Sequence, residues 1–302
     1  MVAYLILAHT DPTQLYRLVT SLGENCLIFI HLDSKTPLSK FTAYDYKRNV
    51  HFIENRVAVS WAGFNMVVAT LNLIQAALQK SIEYSHLVLL SGLDYPIKPV
   101  RKIQDHLKAH PEKEFIKFIN VNDSPENYLK IFRRLSFKNP FLPQTKNNVL
   151  EQGLCYVDKG IRRILGYLLM FYRKKPMPGI TPCFGSQWWA ITPACAQYIL
   201  DFVGSRPDFV SYFKTTFGPD EYFFHTIIGN SPFLKNADGF QVYEGRGTYK
   251  MANLHIIHPS LAKTYTLTDF KEIQASTKFF VRKVSTNESS ELIDKINKEL
   301  LT

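Results

Sequence analysis

The feature that most constrains this chain is an alternation near its start, in which short apolar runs are separated by stretches of helical spacing. Val2–Ala8, Cys26–Leu32 and His86–Leu90 are short and nearly continuous in apolar residues, and read as buried strands. Between them, Pro12–Leu22 reads as a helix with Asp11 as its cap, and Trp61–Gln79 carries Val67, Leu71, Ile74 and Leu78 at helical spacing. Val50–Ile53 and Glu114–Ile119 add strands, Val100–His110 adds a helix, and Ser91–Pro96 reads as a turn. Strands joined through helices of this size pair in parallel with right-handed crossovers, which makes the class α/β. Ligands bind such sheets outside the carboxyl ends of the strands. His9, Asp33 and Asp94 stand at or just beyond those ends and are expected to line one crevice.

The segment 120–182 is less regular. Within it, Gly160–Lys175 sets Ile161, Ile164, Leu165, Leu168 and Leu169 on one helical face between basic ends. Two readings stay open: a helix resting on an anionic membrane, or a core-facing helix with solvated charges. Further on, Phe184–Ile191 reads as a strand, Pro193–Val203 and Pro219–Ile228 as helices, and Ser290–Leu300 as a terminal helix capped by Ser290. At 302 residues and 46% hydrophobic, the chain can bury a sizeable core. We expect one domain over 1–302, with 1–120 binding nucleotide and 121–302 carrying acceptor binding and catalysis.

A formal net charge of +10 favours anionic partners, but the cations are scattered and no base-reading motif accompanies them, so nucleic acid is set aside. The four cysteines, Cys26, Cys155, Cys183 and Cys195, form no C-x-x-C pair and read as reduced core residues. The first apolar run is too short for a signal peptide or membrane span, so the expected location is cytoplasmic, with a peripheral place at the inner membrane face if the 160–175 segment touches lipid.

Dinucleotide-binding, P-loop, zinc-protease and nucleophile-elbow motifs are absent, and so is a D-x-D pair for holding a metal against a diphosphate. Side-chain cations would then have to neutralise any diphosphate. Arg282 and Lys283 follow an apolar strand-like stretch, and Lys263 is a third candidate. Asp220 and Glu221 fall in the expected first turn of a helix, where a carboxylate could deprotonate an acceptor hydroxyl. Trp188 and Trp189 are adjacent on an expected strand, so two readings stay open: one enters the core while the other faces the cleft and could stack on a sugar, or both are packed.

Seven segments, AYLILAH (Ala3–His9), FIHLDSK (Phe29–Lys35), VSWAGFNMVVA (Val59–Ala69), LLSGLDYPIKP (Leu89–Pro99), GSQWWAIT (Gly185–Thr192), PDEYFFHTIIGNSP (Pro219–Pro232) and FVRK ending at Lys283, occur in order along the chain. Together they resemble the core-2/I-branching enzymes, the family of β-1,6-N-acetylglucosaminyltransferases and peptide O-xylosyltransferases. The resemblance implies a GT-A-type, Rossmann-like fold with a mixed central sheet flanked by helices. It also implies an inverting transfer from a UDP-sugar without an obligatory metal or other cofactor. By position, Glu221 matches the family's catalytic base and Arg282–Lys283 the pair that holds the diphosphate. Asp33 matches a residue near the uracil, Trp61 and Asp94 border the donor and acceptor pocket, and Trp188 matches an aromatic position near the acceptor.

The departures are Ala62 in place of the first glycine of a W-G-G pattern, and Val284 where Phe often follows the basic pair. A family acceptor group of Glu, Lys and Arg has only loose matches in Glu126, Arg133 and Arg134. The animal members carry an anchor, a stem and many cysteines, so the expectation here is a bacterial member. The expected site is Glu221 as base, with His9, Asp33, Trp61, Lys263, Arg282 and Lys283 on the UDP-sugar, and Asp94, Trp188, Asp220 and Arg134 on the acceptor. GlcNAc is the expected donor sugar and a glycan or lipid-linked glycan the acceptor. UDP-xylose transfer and a non-catalytic UDP-sugar binder are the alternatives.

Overall fold

A computed structural model describes residues 1–124, 126–142, 149–245 and 247–302. Eleven strands occur among them: β1 (Val2–Ala8), β2 (Cys26–Leu32), β3 (Val50–Phe52), β4 (His86–Ser91), β5 (Asp94–Pro96), β6 (Glu114–Asn120), β7 (Cys183–Gly185), β8 (Ala190–Ile191), β9 (Ala237–Phe240), β10 (His255–Ile257) and β11 (Phe280–Arg282). The main sheet runs β3-β2-β1-β4-β8-β6-β7, with β9 also paired to β6. β3, β2, β1 and β4 are parallel, as the crossover helices require, while β8 pairs antiparallel with both β4 and β6. The result is a mixed α/β sheet that draws strands from both halves of the chain.

Alternation along β1 explains why it is buried on both faces. Ala3, Leu5 and Leu7 enter one apolar cluster, and Val2, Tyr4, Ile6 and Ala8 enter another. The helix Asn65–Leu78 covers the first face through Val67, Leu73 and Ile74, together with Cys195 and Ile199 of Pro193–Ser205. Pro12–Leu22 and Val100–Lys108 cover the second through Leu15, Leu18, Ile103 and Leu107. All four cysteines are buried and unbonded to one another.

A second sheet of three short strands, β10-β11-β5, closes one end of the molecule, packed by the terminal helix Thr286–Glu299. That helix is capped by Ser285, whose hydroxyl accepts from Glu288 N, and so begins ahead of the expected Ser290. The stretch Ser91–Pro96 is therefore part strand rather than all turn. Phe184–Ile191 is two short strands broken at 186–189. Among the described residues no helix is long and apolar enough to cross a membrane.

The helix Val149–Leu168 overturns the core-facing reading of the basic apolar segment. Leu150, Leu154, Val157, Ile161, Ile164 and Leu168 recur every three or four residues along one face, and all are 42–74% exposed.

Asp11 joins the two ends of the chain. Its carboxylate accepts from Gln14 N at 3.1 Å, capping the first helix, and from Thr286 N at 2.8 Å, at the start of the last. Asp11→Ala should destabilise the fold by about 2 kcal/mol, as the sum of a lost cap and a lost inter-element hydrogen bond. A urea midpoint unchanged from the parent would refute this.

Candidate active site

β1 hydrogen-bonds to β2 on one side and β4 on the other, so the chain reverses its direction of sheet growth there. A crevice at such a point is where doubly wound sheets bind ligands. The register pairs Ala8 with Leu32 and Leu7 with Ser91, which brings three strand ends level. Around them lies a cavity of about 230 Å³ lined by Leu7, Ala8, His9, His31, Asp33, Lys35, Val59, Trp61, Met66, Ser91, Gln187, Trp188 and Arg282.

Arg282 reaches this cavity through the small sheet. β11 runs antiparallel to β5, with Arg282 directly opposite Asp94. Arg282 Nη1 donates to Asp94 Oδ1 at 2.9 Å, His255 Nε2 to Oδ2 at 3.1 Å, and Ser91 N to Oδ2 at 2.7 Å. Burial pushes the Asp94 carboxyl up, but Arg282, His255 and Ser91 outweigh it and hold the group below its usual range. The Arg282 guanidinium lies 4.4 Å over the Trp188 ring, a cation–π contact that fixes its other face.

The positive field is legible on His9. Burial lowers its pKa first, and Arg282, Lys35 and Lys283 lower it further against the opposing pull of Asp33. His31 is driven down to about 4 by burial, and its neutral Nε2 accepts from Val57 N at 3.0 Å. Asp33 is tied to the same loop, accepting from Lys35 N at 2.9 Å. Arg56 donates to the carbonyls of Leu32, Asp33 and Thr36 and so pins the end of β2. Among the described residues the enclosed Gln187 side-chain nitrogen has no hydrogen-bond partner, which leaves a donor available to a ligand.

Trp61 forms the outer wall and is 77% exposed. Its ring packs edge-on against Phe217 at 5.5 Å. Gly218 N donates to Ala62 O at 3.1 Å, so the segment leading to Glu221 is stitched to this wall. Gly218 has φ 59°, and a Cβ there would stand 3.8 Å from Glu221 Oε2, so the carboxylate folds back over the glycine. Ala62 has φ 56°, a left-handed conformation that costs a non-glycine residue roughly 1–2 kcal/mol. That accounts for glycine at this place in the family pattern.

The structure thus brings His9, Asp33, Trp61 and Arg282 to one cavity, with Glu221 in the turn bonded to its wall. Several expectations change. Asp94 is fully buried with both oxygens engaged, so it supports Arg282 and cannot touch an acceptor. Trp188 lines the cavity but is only 7% exposed and covered by Arg282, so Trp61, and not Trp188, is the open indole. Trp189 is in the core, against Phe224. Lys263 pairs with Asp269 at 2.6 Å and does not line the cavity. Lys283 is half-buried behind Arg282 and acts there through its charge alone.

Asp220 and Glu221 belong to a 3-10 turn, Pro219–Glu221, and the α-helix starts only at Phe223, so no helix dipole bears directly on them. Burial raises the Asp220 carboxyl to about 6, and it lines neither this cavity nor the larger one beside it. Arg134 lines that larger cavity. The Glu126 side chain lies outside the described residues. Among the described residues, no group of three or more His, Cys, Asp or Glu could hold a metal ion.

Sequence reasoning missed Lys35, His31, Ser91 and Gln187, although each falls inside a quoted motif and could have been found there. His255 and Arg56 carried no signal, because they act through contacts across 161 and about twenty positions of chain respectively.

The Asp94 network gives a pH-dependent prediction. Its folded pKa is depressed, so its stabilisation is present above the unfolded value near 3.9 and is lost as pH falls through the folded value. Asp94→Asn should cost about 3 kcal/mol at pH 7, since it leaves Arg282 without its charge partner, and the gap to the parent should begin to narrow below about pH 4, as the parent carboxylate takes up its proton. Chemical denaturation at pH 7 and pH 3 measures this, and a gap that does not change with pH would contradict it.

The chain is 22% identical over 242 residues to human "Probable beta-1,3-galactosyl-O-glycosyl-glycoprotein beta-1,6-N-acetylglucosaminyltransferase 7", covering 78% of this chain and 50% of that protein. It is 22% identical over 235 residues to mouse beta-1,3-galactosyl-O-glycosyl-glycoprotein beta-1,6-N-acetylglucosaminyltransferase 4, covering 75% and 46%. It is also 23% identical over 228 residues to the Drosophila melanogaster xylosyltransferase oxt, covering 72% and 23%. The chain therefore spans half or less of each of these relatives. The family model described as Core-2/I-Branching enzyme matches residues 2–242, most of the chain, and on that ground the protein belongs to the core-2/I-branching enzyme family of glycosyltransferases.

Proposed function

We propose that this protein transfers a sugar from a UDP-sugar to a hydroxyl of an acceptor glycan with inversion at the anomeric carbon, using Glu221 as general base. The observation that carries the reading is the shared Trp61–Ala62 wall. On one side it bounds the cavity of Arg282, and on the other it is bonded to the Glu221 turn. In this proposal Asp33, at the end of β2, lies beside the uracil and His9 beside the donor. Arg282 grips the diphosphate oxygens, and Lys283 adds charge behind it. At about 230 Å³ the cavity is below the roughly 300–1,000 Å³ usual for ligand sites, so the donor extends outward along Trp61 towards Glu221.

The step is a single displacement. The acceptor oxygen attacks C1 and loses its proton to Glu221, while the bond from C1 to the β-phosphate oxygen breaks and its electron pair leaves with UDP. An α-linked donor yields a β-linked product. The arginine and lysine provide the countercharge that a metal supplies elsewhere, so the reaction is proposed to need none. UDP-GlcNAc is the proposed donor on the strength of the relatives' names, and UDP-xylose is the alternative that the same relatives support. Residues 1–120 and 121–302 are proposed to serve donor and acceptor respectively.

Glu221→Gln should lower transfer by about 10²–10⁴-fold, the usual contribution of a general base, with UDP affinity near normal. Arg282→Ala should weaken UDP binding by calorimetry, and EDTA should leave activity intact. Full activity in Glu221→Gln, or UDP hydrolysis that no acceptor accelerates, would refute the assignment.

Contact with an anionic membrane surface through 160–175 belongs to the same proposal. It is supported by the bare apolar stripe, by exposed Tyr167, Phe171 and Tyr172, and by exposed Arg173 and Lys175 beside them. Two copies would set these cations against each other, whereas an anionic surface complements them. Vesicles containing phosphatidylserine should retain the protein about tenfold better than pure phosphatidylcholine, at roughly 1 kcal/mol per surface cation. Ile164→Asp/Phe171→Asp should abolish retention. Equal retention on both vesicle types, or self-association without lipid, would overturn it.

A further inference from the structure

A second cavity, of about 570 Å³, lies apart from the one at the strand ends. It lies between the 131–138 segment and the helix Val149–Leu168, and its lining includes Arg134, Lys138, Lys159, Arg162 and Arg163 with no acidic residue. Five cations around one concavity, with Arg134, Lys159 and Arg163 exposed at its mouth, set up a positive field that favours an anion.

Among the described residues, only one of the five is neutralised by a carboxylate. Arg162 Nε donates to the buried Asp158 at 2.8 Å, and its Nη1 to the carbonyls of Phe137 and Lys138 at 3.3 and 3.1 Å. Asp158 is itself saturated, accepting from Phe141 N at 2.7 Å and Leu142 N at 3.2 Å. This pair fixes the cavity wall. Arg134, Lys138, Lys159 and Arg163 have no carboxylate partner among the described residues.

The cations do not point at the surface discussed above for lipid. At 100° per residue, Lys159, Arg162, Arg163 and Gly166 centre on the side of the helix opposite the stripe of Leu150, Leu154, Val157, Ile161, Ile164 and Leu168. One face of the helix is apolar and open, and the other roofs a basic pocket.

That pocket adjoins the donor cavity across a single aromatic wall. Phe217 lines the basic cavity, Trp61 lines the donor cavity, and their rings are 5.5 Å apart. Lys138 Nζ stands 5.6 Å from the Trp61 ring and 5.4 Å from the Phe217 ring. Phe217 directly precedes the Gly218 turn over which the Glu221 carboxylate folds.

We propose that this cavity is the acceptor subsite and that it selects an oxyanion-bearing glycan, one whose sugars carry carboxylate or phosphate groups. The inference rests on the transferase reading and narrows its substrate class. The acceptor's anionic group sits among Arg134, Lys159 and Arg163, a neutral sugar packs on Phe217, and the reacting hydroxyl comes past Trp61 to Glu221. Bidentate guanidinium contacts from Arg134 and Arg163 suit planar carboxylates and phosphates alike.

The test is calorimetric binding to the intact protein saturated with UDP, so that the donor cavity is filled. Three probes are compared: a hyaluronan tetrasaccharide, chitotetraose as its neutral match in length, and inorganic pyrophosphate. The hyaluronan tetrasaccharide or pyrophosphate should bind at least tenfold more tightly than chitotetraose. Whichever anion binds identifies carboxylate or phosphate as the source. The triple variant Arg134→Ala/Lys159→Ala/Arg163→Ala should lose that preference while its UDP affinity stays unchanged, and a retained thermal transition checks its fold. Equal affinity for neutral and anionic probes, or a preference that survives the triple variant, overturns the proposal. Failure of the parent protein to bind UDP at all would instead overturn the donor reading on which it rests.

Discussion

The architecture of the site depends on one buried ion pair. Asp94 lies wholly inside the protein, and its carboxylate is made tolerable there by three donors, of which Arg282 alone carries a fixed charge. A lone carboxylate at such a depth would be prohibitive, so the two residues must be brought together by the fold itself. The antiparallel register of β5 and β11 does this by setting them directly across from one another. The consequence is functional as well as structural. A guanidinium held by a buried partner on one edge and by Trp188 on its face has little freedom left, and its remaining donors are preorganised towards the cavity.

Around that fixed cation the rest of the site is assembled from the ends of parallel strands and one exposed aromatic wall. The strand ends supply His9, Asp33 and Ser91 at the switch point of the sheet. The wall is the Trp61–Gly63 loop, in which Ala62 accepts a left-handed backbone and its carbonyl bonds the Gly218 turn. The residue proposed as base is thereby linked to the donor cavity through backbone rather than through a side-chain contact. Such a link sets the position of the Glu221 turn through the main chain.

The sequence conveyed the elements that have enough length to show a period. β1, β2 and the helix Pro12–Leu22 appear where the apolar runs place them, because burial on both faces and an Asp-Pro start leave few alternatives. The small sheet was illegible: β5, β10 and β11 have three residues each, too few for any alternation to register, and their pairing is entirely long-range. For the same reason Asp94 looked like a polar residue on a turn facing a ligand, when its partners Arg282 and His255 lie 188 and 161 positions away. The turn at Glu221 was misread as a helix start because Pro followed by two acids is a common opening signal, and nothing local revealed that Tyr222, at φ −121°, interrupts the helix. The motifs of the family resemblance did better for the site than periodicity did, since Trp61, Asp33 and Arg282 meet although no local pattern relates them.

The account turns on Arg282 meeting the same ligand that Glu221 acts upon. A crystal structure of the protein soaked with UDP tests this most directly. The account predicts diphosphate oxygens about 3 Å from the Arg282 guanidinium, with the uracil near Asp33 and the open end of the diphosphate facing Trp61 and the Glu221 turn. Density for UDP elsewhere on the molecule, with Arg282 bound only to Asp94, would contradict it.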